Sequence, residues 1–462
     1  MPIRPPALDD RGYDDLVREL LARIPAHTPE WTNPRPGDPG RTLVELFAWL
    51  GDALLYRANL VPERQRLAFL RLLGIPMRPA AAARGIVALE DPRPSSPVTL
   101  LPLATLKGPV PFETTGEVTV LPVRAQAYCK RALSEQEERE MAPLAEALRD
   151  LYGLGDRDHP LLYVTTPVFP GGAADPAGFD LAQRTVDGSL WLALLAPDGL
   201  SVTQVRKALG GQALLNVGVA PAVEVPEITE RIGPRAGVPV VWEMSSGRMA
   251  GDDPEYLTLD VLYDGTAQMS RRGVVRLALP GSDDIGALPN DVHRDVDAGR
   301  GDRPPRLDAP DEAARLVAWL RLRPAVRVES LPLSWVGINA VEVDQRTTVT
   351  GRVVGESDGT ADQALQLPAE SVDPDTLALE VEDPERGYLP WRRVDDLAFA
   401  ARGEPAYALD PEAGTVRFGD GVRGRVPALG MRVRVALLRA GGGSAGNVPP
   451  GTLAKVSGTA LD

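Results

Sequence analysis

The chain has 462 residues, 44% hydrophobic and 25% charged, with 64 acidic against 50 basic side chains and a net charge of −14. That length calls for about three domains, and that composition for a folded globular protein. The acidic balance argues against a general nucleic-acid binder, which needs clustered Lys and Arg for phosphates, and against an anionic membrane surface.

Cys129 is the only cysteine, so no intrachain disulfide can form. The start, MPIRPPALDDRGYDD, has no apolar signal core, and no run approaches the roughly 18 apolar residues of a membrane span. The expected setting is the cytoplasm, with any work elsewhere done as part of a larger particle and without direct membrane insertion. Lysine occurs only at Lys107, Lys130, Lys207 and Lys455. With the abundance of Ala, Gly and Pro, this reads as a high-GC coding bias.

Residues 12–75 read as helices. Leu16, Val17, Leu20, Leu21 and Ile24 fall on one face of a helix over Tyr13–Ile24. After a polar, proline-punctuated loop, RTLVELFAWLGDALLYRANL carries Leu43, Phe47, Leu50 and Leu54 at spacings of 4, 3 and 4, the pattern of a coiled-coil seam. Leu46, Ala53 and Leu60 form a second row, so this helix is apolar on more than one side. A third helix is predicted from Pro62 through Leu67, Leu70 and Leu73 to Gly74, where Pro76 and Pro79 bar continuation.

From residue 80 short β-type runs alternate with Pro/Gly turns: GIVALE, VTLLPLATL, GEVTVLPV, SLWLALLA, GVPVVWEM, YLTLDVLY and VVRLALP. SEQEEREMAPLAEALRDLYG interrupts them as a helix opened by a Ser134/Glu137 capping box. Residues 280–312 are acidic and rich in Gly, Pro and Asp, the composition of a long surface loop. ARLVAWLRLRP and LSWVGINAVEV then resume order. The last third is strand and turn. Val416/Phe418 and Met431/Val433/Val435 alternate as half-buried strands do, and Asp410–Gly414 supplies a hairpin turn.

The fold class expected is α+β and multidomain. An N-terminal helical bundle segment (1–78) precedes a central mixed domain (79–345) and a β-rich C-terminal domain (346–462).

Catalytic and metal-binding constellations are missing from the sequence. His27, His159 and His293 each lack a second His or Cys at ligand spacing. DRDHP around His159 reads as a solvated turn, and Cys129 as a buried thiol. Gly419-Asp420-Gly421-Val422-Arg423-Gly424 matches G-x-G-x-x-G after a strand. A dinucleotide fingerprint must open a helix, and here Pro427, Gly430 and the strand MRVRVAL follow. The glycines Gly419, Gly421 and Gly424 read instead as structural turns that need positive φ. AGGGSAG before Asn447 lacks the Lys-Ser/Thr and helix of a phosphate loop and reads as a mobile or αL-rich connection, with Asn447 as a structural turn. The acidic pairs Asp252/Asp253, Asp283/Asp284 and Asp395/Asp396 read as solvated surface. No catalytic residue, cofactor or metal is assigned.

Two segments together resemble the baseplate J-like baseplate assembly (wedge) proteins of contractile phage-tail-like injection systems. They are DPGRTLVELFAWLGDALLYRANLVPERQRLAFLRLLGI (38–75) and the series NAVEVDQ, GESDGTADQALQL, FGDGVRGRVPALG and GGGSAGNVPPG within 338–451. LPLATLKGPVPFETTGEVTV (101–120) resembles the family's early β-segment. The resemblance implies a structural subunit rather than an enzyme, paired with a related second wedge subunit through N-terminal helices. Such wedges form a six-fold ring around hub and spike baseplate proteins, next to sheath-initiating proteins. It makes Leu43, Phe47, Leu50 and Leu54 the expected partner interface, against the alternative that they close onto Leu16, Leu20 and Leu70 within the chain. Family members continue past the GNV segment, whereas this sequence stops at Asp462. The other readings are the paralogous wedge subunit, an exterior glycan-binding module, disfavoured by 5% dispersed aromatics, and a hydrolase, which needs a polar pocket.

Overall fold

The computed structural model describes residues 9–59, 69–70, 73, 80–91, 96–153, 162–211, 213–222, 237–251, 253–290, 302–453 and 455–457. The chain divides into two compact units, Met1–Arg78 and Pro79–Asp462. In the first, helix α1 spans Tyr13–His27 and helix α2 spans Pro39–Asn59. Asp38 starts α2: its carboxylate accepts from Gly40 N (2.7 Å) and its carbonyl from Thr42 N (2.9 Å), which satisfies amides that a helix start leaves open. α1 and α2 pack through small residues. Ala48 is buried, and a Cβ on Gly51 would lie 3.2 Å from Leu16 Cδ1. The third helix expected over 62–74 lies outside the described residues apart from Phe69, Leu70 and Leu73.

The second unit is strand-rich and is built around a sandwich. One sheet orders the strands Asp253–Thr258, Val240–Ala250, Leu316–Pro324, Leu190–Leu195, Arg124–Ala132 and Tyr163–Val168. The other orders Val261–Asp264, Gly273–Ala278, Leu214–Pro221, Pro332–Ile338 and Phe179–Asp180. Alternate residues meet in one core: Leu190, Leu192 and Leu194 from the first sheet, Leu215, Val217 and Val219 from the second. That is the period of two that strands impose. The expected helix is present as α3 (Glu135–Tyr152), where Glu137 accepts from Ser134 N (2.7 Å) and Gly153 sits in the left-handed region. A second capped helix, α4 (Val202–Leu209), has the same box from Ser201 and Gln204. Its eight residues between strands left little periodicity to read.

Of segment 280–312, residues 291–301 lie outside the described residues, and the rest is less of a loop than its composition indicates. Ile285 and Leu307 are buried, and Pro310–Arg315 is helical before the strand that follows. Two apolar anchors outweigh its acidic content. Arg315, the last residue of that helix, pairs with Asp198 (3.1 Å).

A smaller sheet places Arg84–Ala88, Ala340–Asp344, Phe112–Thr114, Thr105–Lys107 and Lys455–Val456 side by side. Asn339 makes the corner into it with φ +52°, a conformation Asn tolerates better than most residues. Its side-chain amide accepts from Leu121 N and donates to Leu121 O, both at 3.0 Å, acting as one more residue of strand ladder.

The last sheet runs Thr347–Glu356, Arg432–Ala440, Ala378–Asp383, Gly387–Arg393, Ala406–Asp410, Thr415–Phe418 and Ala364–Gln366. Its described pairings are antiparallel except the short one between Gly387–Arg393 and Ala406–Asp410. Val416, Phe418, Val433 and Val435 are among its buried residues, with Leu379, Val381, Trp391 and Tyr407.

One turn has unusual backbone. Ala267, Gln268 and Met269 have φ of 48°, 58° and 63° in succession. Asp264 holds them, its carboxylate accepting from Thr266 N, Thr266 Oγ1 and Gln268 N. A left-handed residue with a Cβ costs about 1–2 kcal/mol. Ala267 is exposed, so its methyl contributes no packing there. Ala267→Gly should therefore raise stability by about 0.5–1 kcal/mol after the greater freedom of an unfolded glycine is subtracted, read as a higher urea midpoint.

Candidate functional site

The seam residues of α2 all face solvent: Leu43, Phe47, Leu50 and Leu54 are 57%, 64%, 48% and 58% exposed. Val44, Ala48, Gly51 and Leu55 form the side toward α1, about a quarter turn away at 100° per residue. Leu46, Trp49 and Tyr56, also exposed, extend the apolar surface round the other side of the seam. Among the described residues of α2, Ala48 is the buried one. Polar residues interrupt the helix at Arg41, Glu45, Asp52 and Arg57, and Arg41 pairs with Glu45 (2.9 Å). Among the described residues no helix is long and apolar enough to cross a membrane. Isolated exposed leucines are ordinary, whereas these side chains form a contiguous apolar ridge.

The sequence motifs of the C-terminal part come together in pairs. Within GESDGTADQALQL, Ser357 and Gln363 are buried and clamp the FGDGVRGRVPALG loop. Ser357 Oγ donates to Pro427 O (2.8 Å), Gln363 Nε2 to Ser357 Oγ (2.7 Å), Phe418 N to Gln363 O (3.0 Å) and Asp362 N to Gly419 O (3.2 Å). Gln345, the last residue of NAVEVDQ, clamps the other pair. Its side chain accepts from Ala83 N (3.4 Å) and donates to Gly442 O (3.1 Å).

The glycines answer to two different needs. Gly421 and Gly424 have φ of 87° and 82°. Gly419 is limited by space, since a Cβ there would lie 2.4 Å from Arg423 O and Gly424 C. Gly419→Ala should cost about 1–3 kcal/mol, the range for overpacking, seen as a lower melting temperature of the second unit. The AGGGSAG connection is packed rather than mobile. A Cβ on Gly441 would meet Gln345 O at 2.3 Å, and one on Gly442 would meet Ala80 O at 2.5 Å. Only glycine lets these backbones approach so closely. Gly441, Gly442 and Gly443 all have positive φ as well, at 140°, 150° and 85°. Asn447 has φ −77° and donates its N–H to Ser444 O (3.1 Å).

No protein-family model and no curated protein matches this chain. It has weak similarity to a solved structure. That structure is the type VI secretion system TssK-TssF-TssG baseplate subcomplex, revealed by cryo-electron microscopy. The identity is 12% and the TM-score 0.37, over 89% of this chain and 69% of that one.

The other sequence candidates are scattered. His27 ends α1 in solvent, and His159, His293 and Asp252 lie outside the described residues. Asp284 pairs with Arg248 (2.8 Å), and Asp396 accepts from Ala398 N (2.8 Å). Cys129 is buried; that burial, with the charge of Asp187 behind it, pushes its thiol up to about 12. Among the described residues no group of three or more His, Cys, Asp or Glu is placed to hold a metal ion.

The densest polar cluster went unrecognised in the sequence. On the face of the first sandwich sheet opposite the main core, buried Arg321 donates to Glu243 (2.7 Å) and Asp302 (2.8 Å), and Arg323 also holds Glu243 (2.9 Å). The Arg321 guanidinium lies over Tyr256 and Trp191, 4.3 and 5.2 Å from the ring centroids. Lys130 sits 5.4 Å from the Trp191 centroid and 3.4 Å from Asp187. Burial lowers the pKa of Lys130, with Asp187 opposing. Each charge has an opposite partner, which is the condition for keeping it inside. The readable signal was alternation: Trp319, Arg321 and Arg323 share one face of LVAWLRLRP.

Proposed function

We propose that this chain is a structural wedge subunit of the baseplate of a contractile phage-tail-like injection system, and acts as a scaffold rather than a catalyst. The observation that carries the proposal is the α2 ridge: Leu43, Phe47, Leu50 and Leu54 stay exposed after the chain has folded. Burying each against a partner helix contributes about 1.5–3 kcal/mol. The ridge lies within the first of the two segments that resemble baseplate J-like proteins, which gives it a class of occupant, the N-terminal helices of a second wedge subunit. Ring formation around the hub and spike follows from the same resemblance.

The second resembling segment forms the clamped loops around Ser357, Gln363 and Gln345. In each clamp, pieces that lie far apart in the chain meet through named hydrogen bonds. The test is co-purification of a tagged chain from native particles. Recovery of a second wedge protein with sheath and hub components is the expected result. Recovery of the chain alone as a soluble monomer contradicts the proposal.

A further inference from the structure

Residues 347–440 are an insert in the smaller sheet. The chain leaves that sheet after the strand Ala340–Asp344 and comes back through residues 441–443 toward the strand Lys455–Val456. Among the described residues the seven strands of the insert pair only with one another. Their buried residues form a core separate from that of the smaller sheet. Two bodies that share two short crossings and no apolar core turn about the joint unless polar contacts hold them.

Gln345 marks the axis of that joint. Its N–H donates to Ala83 O (2.8 Å), and its side chain accepts from Ala83 N and donates to Gly442 O. Both crossings are thereby pinned side by side at one point. The return crossing is three glycines, which absorb backbone rotation more readily than other residues.

Away from the axis the insert is held by little. Among the described residues, the hydrogen bonds and ion pairs from 347–440 to 79–344 come from Thr348 and Arg439, which are register partners on the outgoing and returning strands. Both reach Glu113 on the strand Phe112–Thr114. Thr348 donates its N–H and its hydroxyl to the two carboxylate oxygens (2.6 Å each), and Arg439 Nη2 lies 3.4 Å from one of them. Arg439 also donates to Asp344 (2.6 Å), beside the axis, where Arg346 pairs with Asp373 (3.0 Å) and lies 3.6 Å from Asp344. Glu113 and Asp344 are buried, so these contacts act with water kept out. The grip is incomplete. Arg439 Nε is buried without a hydrogen-bond partner, a loss that opening the joint to water would repair and that disfavours the closed form.

We infer that Glu113 is the latch of a hinge formed by Gln345 and residues 441–443, and that its release lets the insert 347–440 swing while both cores stay folded. The closed joint is then one of two states. A partner that binds one orientation more tightly shifts the balance by that difference in affinity. The inference is independent of the α2 ridge.

The test places nitroxide labels on the full-length chain at Lys107→Cys in the smaller sheet and Glu385→Cys in the insert, both exposed positions. Cys129 is buried and stays unlabelled. Pulsed dipolar spectroscopy of this parent should give one narrow distance. Glu113→Ala should add a second, broader population of distances, and Arg439→Met should do the same from the insert's side. Glu113→Gln keeps an acceptor for Thr348 and should open the joint less than Glu113→Ala. A pair within the insert, Glu385→Cys with Arg402→Cys, should keep its distance in every variant, and amide exchange should stay slow across both cores. A Glu113→Ala chain that keeps the single narrow distance overturns the inference, as does a parent that is already broad. Faster exchange in either core of the Glu113→Ala and Glu113→Gln chains also overturns it, because Glu113 would then support the fold itself.

Discussion

Leu50→Asp with Leu54→Asp should abolish partner binding while leaving the Pro79–Asp462 unit folded. Both leucines are about half exposed in the chain, at 48% and 58%, so charging them costs the isolated chain little, within the roughly 0.5 kcal/mol typical of surface changes. Against a partner the same positions are to be buried. Losing two leucine contacts then costs about 3 kcal/mol or more, which is at least about a hundredfold in affinity, and the buried carboxylates add to it. The readouts are an unchanged protease-resistant core and failure to pull down the second wedge protein or to complete particles. Normal particles with the double variant would refute the ridge as an interface. Ala48→Asp is the contrasting change. It strikes the buried side of α2 and should unfold the α1–α2 pair before any partner is added.

How much of this was legible beforehand differs from place to place. α1 and α2 were readable because a helix that faces a partner or a core repeats its apolar residues every three or four positions. Several long strands of the sandwich were readable as apolar runs between turns. The strands Arg124–Ala132 and Leu214–Pro221 were not, because RAQAYCKRA carries charge on a face that turns out to be buried and LLNVGVAP lacks a polar alternation. Their burial comes from the second layer of the fold, which a local window cannot see.

The glycine motifs were visible as turns. Their reason was only half visible: positive φ at Gly421 and Gly424, close backbone approach at Gly419, and both together at Gly441 and Gly442. Contacts of that kind join residues nearly a hundred positions apart, as with Gln345 and Gly442. The charged cluster around Arg321 was hidden for the same reason. Its partners Glu243 and Asp302 come from separate parts of the chain.

Glu243→Gln should strongly destabilise the second unit, and it should flatten the acid limb of its stability curve. Arg321 and Glu243 are 3% and 6% exposed. Removing one side of a buried pair leaves a charge without compensation and costs about 3–5 kcal/mol. The lower end applies, because Asp302, whose side chain is 69% exposed, still reaches Arg321 at 2.8 Å. Burial alone raises the Glu243 carboxyl. The hydrogen bond from Arg323 and the charge and hydrogen bond of Arg321 together outweigh that, and the net shift is downward from 4.5. A carboxylate whose folded pKa is depressed adds stability above its unfolded value, and that stability is lost as pH falls from about 4.5 through the folded value. Half-buried carboxylates such as Glu137 and Glu382, held near 2 by Arg131 and Arg432, lose theirs in the same window. The decisive quantity is therefore the difference between parent and variant. Urea midpoints of the two should lie far apart at neutral pH and converge on acidification. Adding Arg321→Met to Glu243→Gln should recover much of the loss, because an apolar side chain of similar volume needs no partner. Equal midpoints at neutral pH, or a double variant weaker than Glu243→Gln alone, would show that solvent already compensates Arg321.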